Sequence, residues 1–440
     1  MTKPDSCMEK IIYKKAPWIN NTNIYEVNLR QYTSEGTFQA FVKEFPRLKN
    51  MGVETLWFMP ITPISQMNRK GTMGSYYACS DYVSINPEFG NLDDFKNLVS
   101  LAHGMGFKIL IDWVANHTGW DHIWTKEHPE YYLTDSNTGT FKMASGMDDI
   151  IELDYDNPAM RNAMISAMKY WVTECDIDGF RSDLAFWVTL DFWKEARTEL
   201  EKTKTLFWLA EADVIEQAEY LQVFDAAYAW SWMHKTEDFY KKNIDINVLK
   251  DLLKRYDEIC GNESITLWFT SNHDENSWNG TEYEKYGDMT ALLNVFSFAW
   301  NGMPMIYSGQ ELPNYKRLEF FEKDAIEWTG KYELEDFYRT LLKLKKDNTA
   351  LRAADGSVKT YLLDTPASVI AFLRRNGTDE VLVLLNFSNE NIELELQDEK
   401  ISGTYINVFT GDEQDLTGTV KAGLSAWEYL LYKNKQNALL

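Results

Sequence analysis

Short apolar runs alternate with longer amphipathic stretches over most of this chain, and few folds accommodate that rhythm. The runs fall at residues 24–29, 55–58, 108–112, 179–183, 207–210, 226–228, 265–270 and 303–308. Helical patterns lie at 38–48, 92–103, 159–174, 192–202, 247–258, 289–300 and 334–345. Strands that alternate with helices imply parallel pairing, because a parallel neighbour is reached only through a crossover. Eight such units fit an α/β fold whose sheet closes into a (β/α)8 TIM barrel. An open, doubly wound sheet is the competing arrangement, but no Gly-x-Gly-x-x-Gly run follows the first strand.

Two stretches depart from the rhythm. Between the run ending at Asp112 and the helix beginning near Ala159, the chain is rich in His, Trp, Asp and Gly with little periodicity. Connections of that length are usually functional or form small inserted domains. Residues 118–152 are therefore expected as a short inserted domain after strand 3, at the C-terminal face of the barrel. Past residue 350, short β-like runs at 360–363, 368–373, 380–386, 392–396, 404–409 and 427–432 are separated by Gly, Asn and Asp turns. They predict a C-terminal antiparallel β domain, a β-sandwich over 351–440. That leaves 1–117 and 153–350 for the barrel.

Polar clusters sit where the predicted strands end. Strand three ends in Asp112-Trp113-Val114-Ala115-Asn116-His117, strand four in Gly179-Phe180-Arg181-Ser182-Asp183, strand five in Leu209-Ala210-Glu211, and strand seven in Thr270-Ser271-Asn272-His273-Asp274. The strand ends of a barrel converge on one face, so these side chains can meet. Taken alone, an Asp at a strand end is more often a helix cap, and a lone His is more often structural. Four separate strand ends supplying such residues are harder to explain as capping. Glycoside hydrolysis needs one carboxylic acid and one carboxylate. Clustered carboxylates raise one another's pKa, whereas Arg181, two residues before Asp183 and so on the same strand face, is expected to keep Asp183 ionised. No HExxH or similar short-spaced ligand pair points to a metal site instead.

Composition narrows the partners. The formal net charge of −23 repels nucleic acid and anionic lipid, which excludes both as partners. The four cysteines, Cys7, Cys79, Cys175 and Cys260, form no CxxC or metal-ligand spacing and fit reduced thiols. The first ten residues show no apolar signal region. The expectation is a cytoplasmic enzyme, with export after removal of a signal as the alternative.

These segments resemble the regions shared by the α-amylase family of glycoside hydrolases. DWVANH is similar to its DxVxNH region, GFRSD to its GxRxD region, and TSNHD to its NHD region; the Glu of WLAEAD falls where the family has its acid/base. GVETLWFMPITP, SYYACSDY and GMPMIYSGQE are further matches, and the resemblance runs from about Ile24 to Leu431. It implies that Asp183 is the nucleophile, Glu211 the general acid and then base, and Asp274 the carboxylate that binds the distorted sugar. It also implies that Arg181 holds Asp183 charged, that His117 and His273 hydrogen-bond the sugar, and that Tyr77 is its aromatic platform. Asp112 and Asn116 are expected to shape the loop leading to His117. The implied partner is an α-glucan or maltooligosaccharide, cut by a chain acting as a monomer.

One departure stands just past the nucleophile. Many family members carry a Lys-His pair where this chain has Phe186-Trp187. That His supplies a backbone carbonyl to a structural calcium, so the calcium is not expected here and no cofactor is required. Asp148 and Asp149 are the acidic patch left in the insertion, read as a solvated loop. The short insertion favours an open, endo-type cleft on α-1,4-glucans. An exo-acting α-glucosidase, an oligo-1,6-glucosidase and a transglycosylase share the same carboxylates and remain alternatives. A non-catalytic binding or partner subunit would have lost some of them.

Overall fold

The computed structural model describes residues 12–242, 244–366 and 368–435. In chain order the strands are β1 (Ile24–Val27), β2 (Thr55–Phe58) and β3 (Lys108–Trp113), then β4 (His117–Gly119) and β5 (Ile150–Glu152) in the insertion. β6 (Gly179–Ser182), β7 (Phe207–Asp213), β8 (Ala226–Tyr228), β9 (Ile265–Trp268) and β10 (Met303–Tyr307) follow. All but β4 and β5 close a parallel barrel in the order β1-β10-β9-β8-β7-β6-β3-β2. Both faces of each barrel strand are covered, by the barrel interior and by the outer helices, so the strands are buried almost throughout.

The outer helices are positioned by their ends. Asn91 and Asp94 cap Leu92–Gly104 reciprocally through side chain and backbone. Asn157 accepts from Ala159 and Met160 at the start of Pro158–Cys175, where Pro158 needs no donor of its own. The single pattern expected at 38–48 is two helices, Phe38–Val42 and Phe45–Met51. Pro46 lies in the first turn of the second, since a helix interior would lose a hydrogen bond there. A further helix, Trp230–Tyr240, follows β8 and was not expected.

The insertion is tied off where it leaves the barrel. β4 pairs antiparallel with β5, placing His117 opposite Glu152 and Gly119 opposite Ile150. The chain beyond the barrel, expected as a β-sandwich, is one hydrogen-bonded antiparallel sheet. Its strands are β11 (Lys359–Leu362), β12 (Val369–Asn376), β13 (Asp379–Asn386), β14 (Ile392–Asn407), β15 (Glu413–Leu424) and β16 (Tyr429–Asn434), in the order β11-β12-β13-β16-β14-β15. Alternation along β12 serves two cores. Ile370 and Phe372 join the barrel core, while Val369, Ala371 and Leu373 pack with Leu394, Leu396 and Val420. Phe372 meets Trp300 edge-on at 4.7 Å, which seats the sheet on the barrel helices.

Among the described residues, no helix is long and apolar enough to cross a membrane. Cys79, Cys175 and Cys260 are buried and unbridged, and Cys7 lies outside the described residues.

Candidate active site

Gly179 and the residues after it set the geometry. A Cβ at Gly179 would lie 2.1 Å from the Phe207 carbonyl oxygen, so only glycine lets β6 approach β7 this closely. Arg181 and Ser182 pair across to Leu209 and Ala210. The chain then turns sharply at Leu184, whose φ of 39° is rare for a branched side chain. That turn aims the Leu184 N–H at Glu211 Oε2, 2.8 Å away. The strained residue thus connects the end of β6 to the carboxylate on β7.

Arg181 is fully buried at the centre of the cluster. Its Nη1 donates to Asp183 Oδ1 at 2.9 Å and to Asp112 Oδ1 at 3.0 Å. Its Nη2 lies 3.0 Å from Glu211 Oε2, an ion pair without hydrogen-bond alignment. Nε donates to the Tyr228 hydroxyl at 3.2 Å. Asp112 was expected to shape the loop before His117. It instead faces the barrel interior, accepting from Arg181, the Trp57 indole and the Tyr77 hydroxyl. It does so because it sits within β3, not past its end.

Asp274 comes from the loop after β9 and is the most open of the carboxylates, with 39% of its side chain exposed. Its neighbour His273 is enclosed. His273 Nδ1 lies 2.5 Å from Glu26 Oε1, and Nε2 lies 2.7 Å from the Tyr77 hydroxyl and 3.3 Å from Asp274 Oδ2. Both ring nitrogens therefore have protein partners, and the ring stacks on Tyr77 at 5.4 Å. His117 is also buried, but its Nε2 has no partner and the residue lines the cavity. The cavity measures about 420 Å³ and brings together Tyr77, His117, Asp183, Glu211 and Asp274.

Burial and charge separate the proton affinities. Burial, with the negative charges of Asp183 and Asp274, pushes Glu211 up to about 7 against the pull of Arg181. Burial also raises Asp183, with Arg181 opposing and Asp112 and Asp274 reinforcing. Arg181 therefore limits the rise of Asp183 without returning it to the ordinary carboxylate range. Burial presses Asp274 upwards too, but the charge and hydrogen bond of His273 prevail and hold it below the usual range. His273 is pulled down by burial and up, more strongly, by Asp274 and Glu26, so it stays protonated. Burial holds His117 at about 4, hence neutral.

Several contributors were not singled out from sequence. Glu26 lies inside β1, where a polar residue in a short strand carries no motif. Lys70, Trp278, Phe320 and Phe321 line the cavity from aperiodic loops. A π-helical turn, Glu275–Asn279, follows Asp274 and sets Trp278 against Phe320 at 5.3 Å.

The acidic patch of the insertion and the turn past the nucleophile both have protein partners. Lys70 Nζ lies 3.2 Å from Asp148 Oδ1 and 2.9 Å from Asp149 Oδ1, so one lysine bridges the acidic patch, with Asp149 buried and Asp148 left largely in solvent as the solvated-loop reading expects. The Tyr220 hydroxyl donates to the carbonyls of Phe186 at 3.2 Å and Val188 at 2.9 Å, on either side of Trp187. Among the described residues, no three His, Cys, Asp or Glu side chains converge as cation ligands.

Known proteins with this architecture agree. The alpha amylase catalytic-domain family model matches residues 19–138 and 129–354, and the alpha amylase C-terminal all-beta domain model matches residues 361–431. A maltogenic alpha-amylase from Thermotoga neapolitana superposes with a TM-score of 0.86 at 30% identity, covering 95% of this chain and 99% of that one. An alpha-amylase from Lactobacillus plantarum gives 0.83 at 28% identity over 94% and 99%. Alpha-amylase 2 of Dictyoglomus thermophilum is 26% identical over 92% of this chain, which spans 72% of that enzyme's length. A cyclomaltodextrinase of a Bacillus species is 26% identical over 80% of this chain and 65% of its own length. With catalytic-domain matches running through the whole barrel and the C-terminal match lying on the sheet behind it, this chain belongs to the alpha-amylase family and is a glycoside hydrolase.

Proposed function

We propose that the enzyme hydrolyses α-1,4-glucosidic bonds of starch-like glucans or maltooligosaccharides with retention, through a covalent glycosyl-enzyme on Asp183. One observation carries this reading: three carboxylates line one cavity with their proton affinities set apart, Glu211 near 7 and Asp274 held down. Both contacts to Glu211 fall on Oε2, leaving Oε1 to carry the proton. Glu211 protonates the glycosidic oxygen while the free oxygen of Asp183 attacks C1. Asp274 then stabilises the positive charge that develops on the ring. Deprotonated Glu211 next takes a proton from water as that water attacks C1, which frees Asp183. One guanidinium touching both Asp183 and Glu211 supports the shorter of the two carboxylate separations, that of retaining enzymes.

Tyr77 lines the cavity as the aromatic wall beside the sugar, and His117 Nε2 offers an unpaired polar atom. His273, with both nitrogens already engaged, acts chiefly by holding Asp274 ionised. The names of relatives, a maltogenic alpha-amylase and a cyclomaltodextrinase, support the substrate class.

The test is chemical trapping. Incubation with 5-fluoro-α-glucosyl fluoride should add one fluoroglucosyl unit, and peptide mass spectrometry should find it on Asp183. A label on another residue, or a β-configured first product by NMR, would overturn the reading.

A further inference from the structure

The loop after β2 joins two other loops beside the cavity. Toward the insertion, Lys70 pairs with Asp148 and Asp149, and Asn68 Nδ2 donates to the Asp148 carbonyl at 3.2 Å. Asp149 is the anchor, with only 7% of its side chain exposed. Toward the loop after β10, the Thr72 N–H donates to Glu322 Oε1 at 2.9 Å, and the Met73 N–H to the Phe321 carbonyl at 2.9 Å. Gly71 has φ of 60°, and a Cβ there would lie 2.6 Å from both Glu322 Oε1 and Phe321 Cβ. The three loops therefore meet as one continuous wall, of which Lys70, Asp149 and Phe321 face the cavity.

Barrel topology says which side this wall stands on. β2 and β10 flank β1, and β1 lies four places round the barrel from β7, which carries Glu211. Glu211 protonates the departing oxygen, so the departing part of the glucan lies on its side. The retained sugar extends the opposite way, through its own O4 toward the non-reducing end, and meets the wall.

We propose that this wall closes the cleft on the retained side, so that the enzyme takes glucans by the non-reducing end and releases short products, with the Lys70–Asp149 pair as the closing contact. The inference rests on the assignment of Glu211 as the acid. It replaces the open, endo-type cleft expected from the short insertion: the insertion is short, but Lys70 ties it shut.

The test compares p-nitrophenyl maltoheptaoside with the same compound blocked at its non-reducing end by an ethylidene group. The wild-type enzyme should cleave the free compound and should cleave the blocked one at least about tenfold more slowly by kcat/KM. Lys70→Ala, and separately Asn68→Ala, should raise the blocked-to-free ratio. Equal wild-type rates on the two compounds would overturn the closed end while leaving the carboxylate chemistry intact. A blocked-to-free ratio unchanged in both variants, each still active on the free compound, would overturn the role of Lys70. Failure to cleave either compound would overturn the proposed function itself.

Discussion

Glu211 lies between opposed influences, and their balance gives it two pH dependences. Burial and the neighbouring carboxylates favour its neutral form, and the pull of Arg181 does not cancel them. Bond cleavage needs that neutral form, so kcat/KM should fall as pH rises through about 7. It should fall again at low pH, as Asp183 takes up a proton. Glu211→Gln should lower the rate about 10²- to 10⁴-fold and abolish the alkaline limb. The same shift is a stability statement. The folded-state pKa is raised, so the contribution is fully present below the ordinary carboxylate range and is lost as pH rises through about 7. Glu211→Gln should therefore gain stability over the wild type between pH 5 and 8, read by urea denaturation at both ends. An equal difference at the two pH values would contradict it. Asp183, Glu211 and Asp274 were legible in the sequence because each lies in a polar cluster at or just past a predicted strand. Glu26 was not, because its role exists only once the barrel closes and brings β1 to His273. Asp112 was visible but misplaced, since β3 continues one residue past it and turns its side chain inward.

Elements bring these residues together, and Gly179 shows how narrow the tolerance is. The atom that an added methyl would strike is a backbone oxygen of β7, which cannot swing aside as a side chain can. Gly179→Ala should therefore push β6 from β7 and cost about 1–3 kcal/mol. Because the Arg181–Glu211 contact spans those two strands, kcat should drop alongside stability. Wild-type stability and kcat in this variant would show that the strands have slack. The barrel strands were legible because burial on both faces makes them unbroken apolar runs. β15 was not: Glu413–Leu424 lies at the sheet edge with only Leu416, Val420 and Leu424 buried, too sparse an apolar pattern to mark a strand. The helix Trp230–Tyr240 was missed for a related reason, since its mixed sequence, WSWMHKTEDFY, buries only part of one face.

On the scale of the whole molecule, the question is what binds the insertion to the barrel. A bound cation is one solution, and its removal is felt as lost stability. An ion at 100 times its Kd would contribute about 2.7 kcal/mol. In this chain the junction is made by protein groups. β4 pairs with β5, the Tyr155 hydroxyl donates to the Ala115 carbonyl at 2.6 Å, and Lys70 pairs with Asp148 and Asp149. The carbonyls of Phe186 and Val188, one on each side of Trp187 where the family resemblance implies a calcium ligand, accept from the Tyr220 hydroxyl. The hydroxyl thus holds the turn on both sides of Trp187 by a protein hydrogen bond. Dialysis against EDTA should accordingly leave both Tm and kcat unchanged, and added calcium should restore nothing. Tyr220→Phe sharpens the test by freeing the two carbonyls while keeping the ring. If the hydroxyl holds this turn, the variant should unfold at a lower temperature by an amount that calcium does not recover, about 1 kcal/mol for one neutral hydrogen-bonding group. A Tm that falls in EDTA and returns with calcium in the wild type would mean that carbonyls elsewhere along the junction hold an ion.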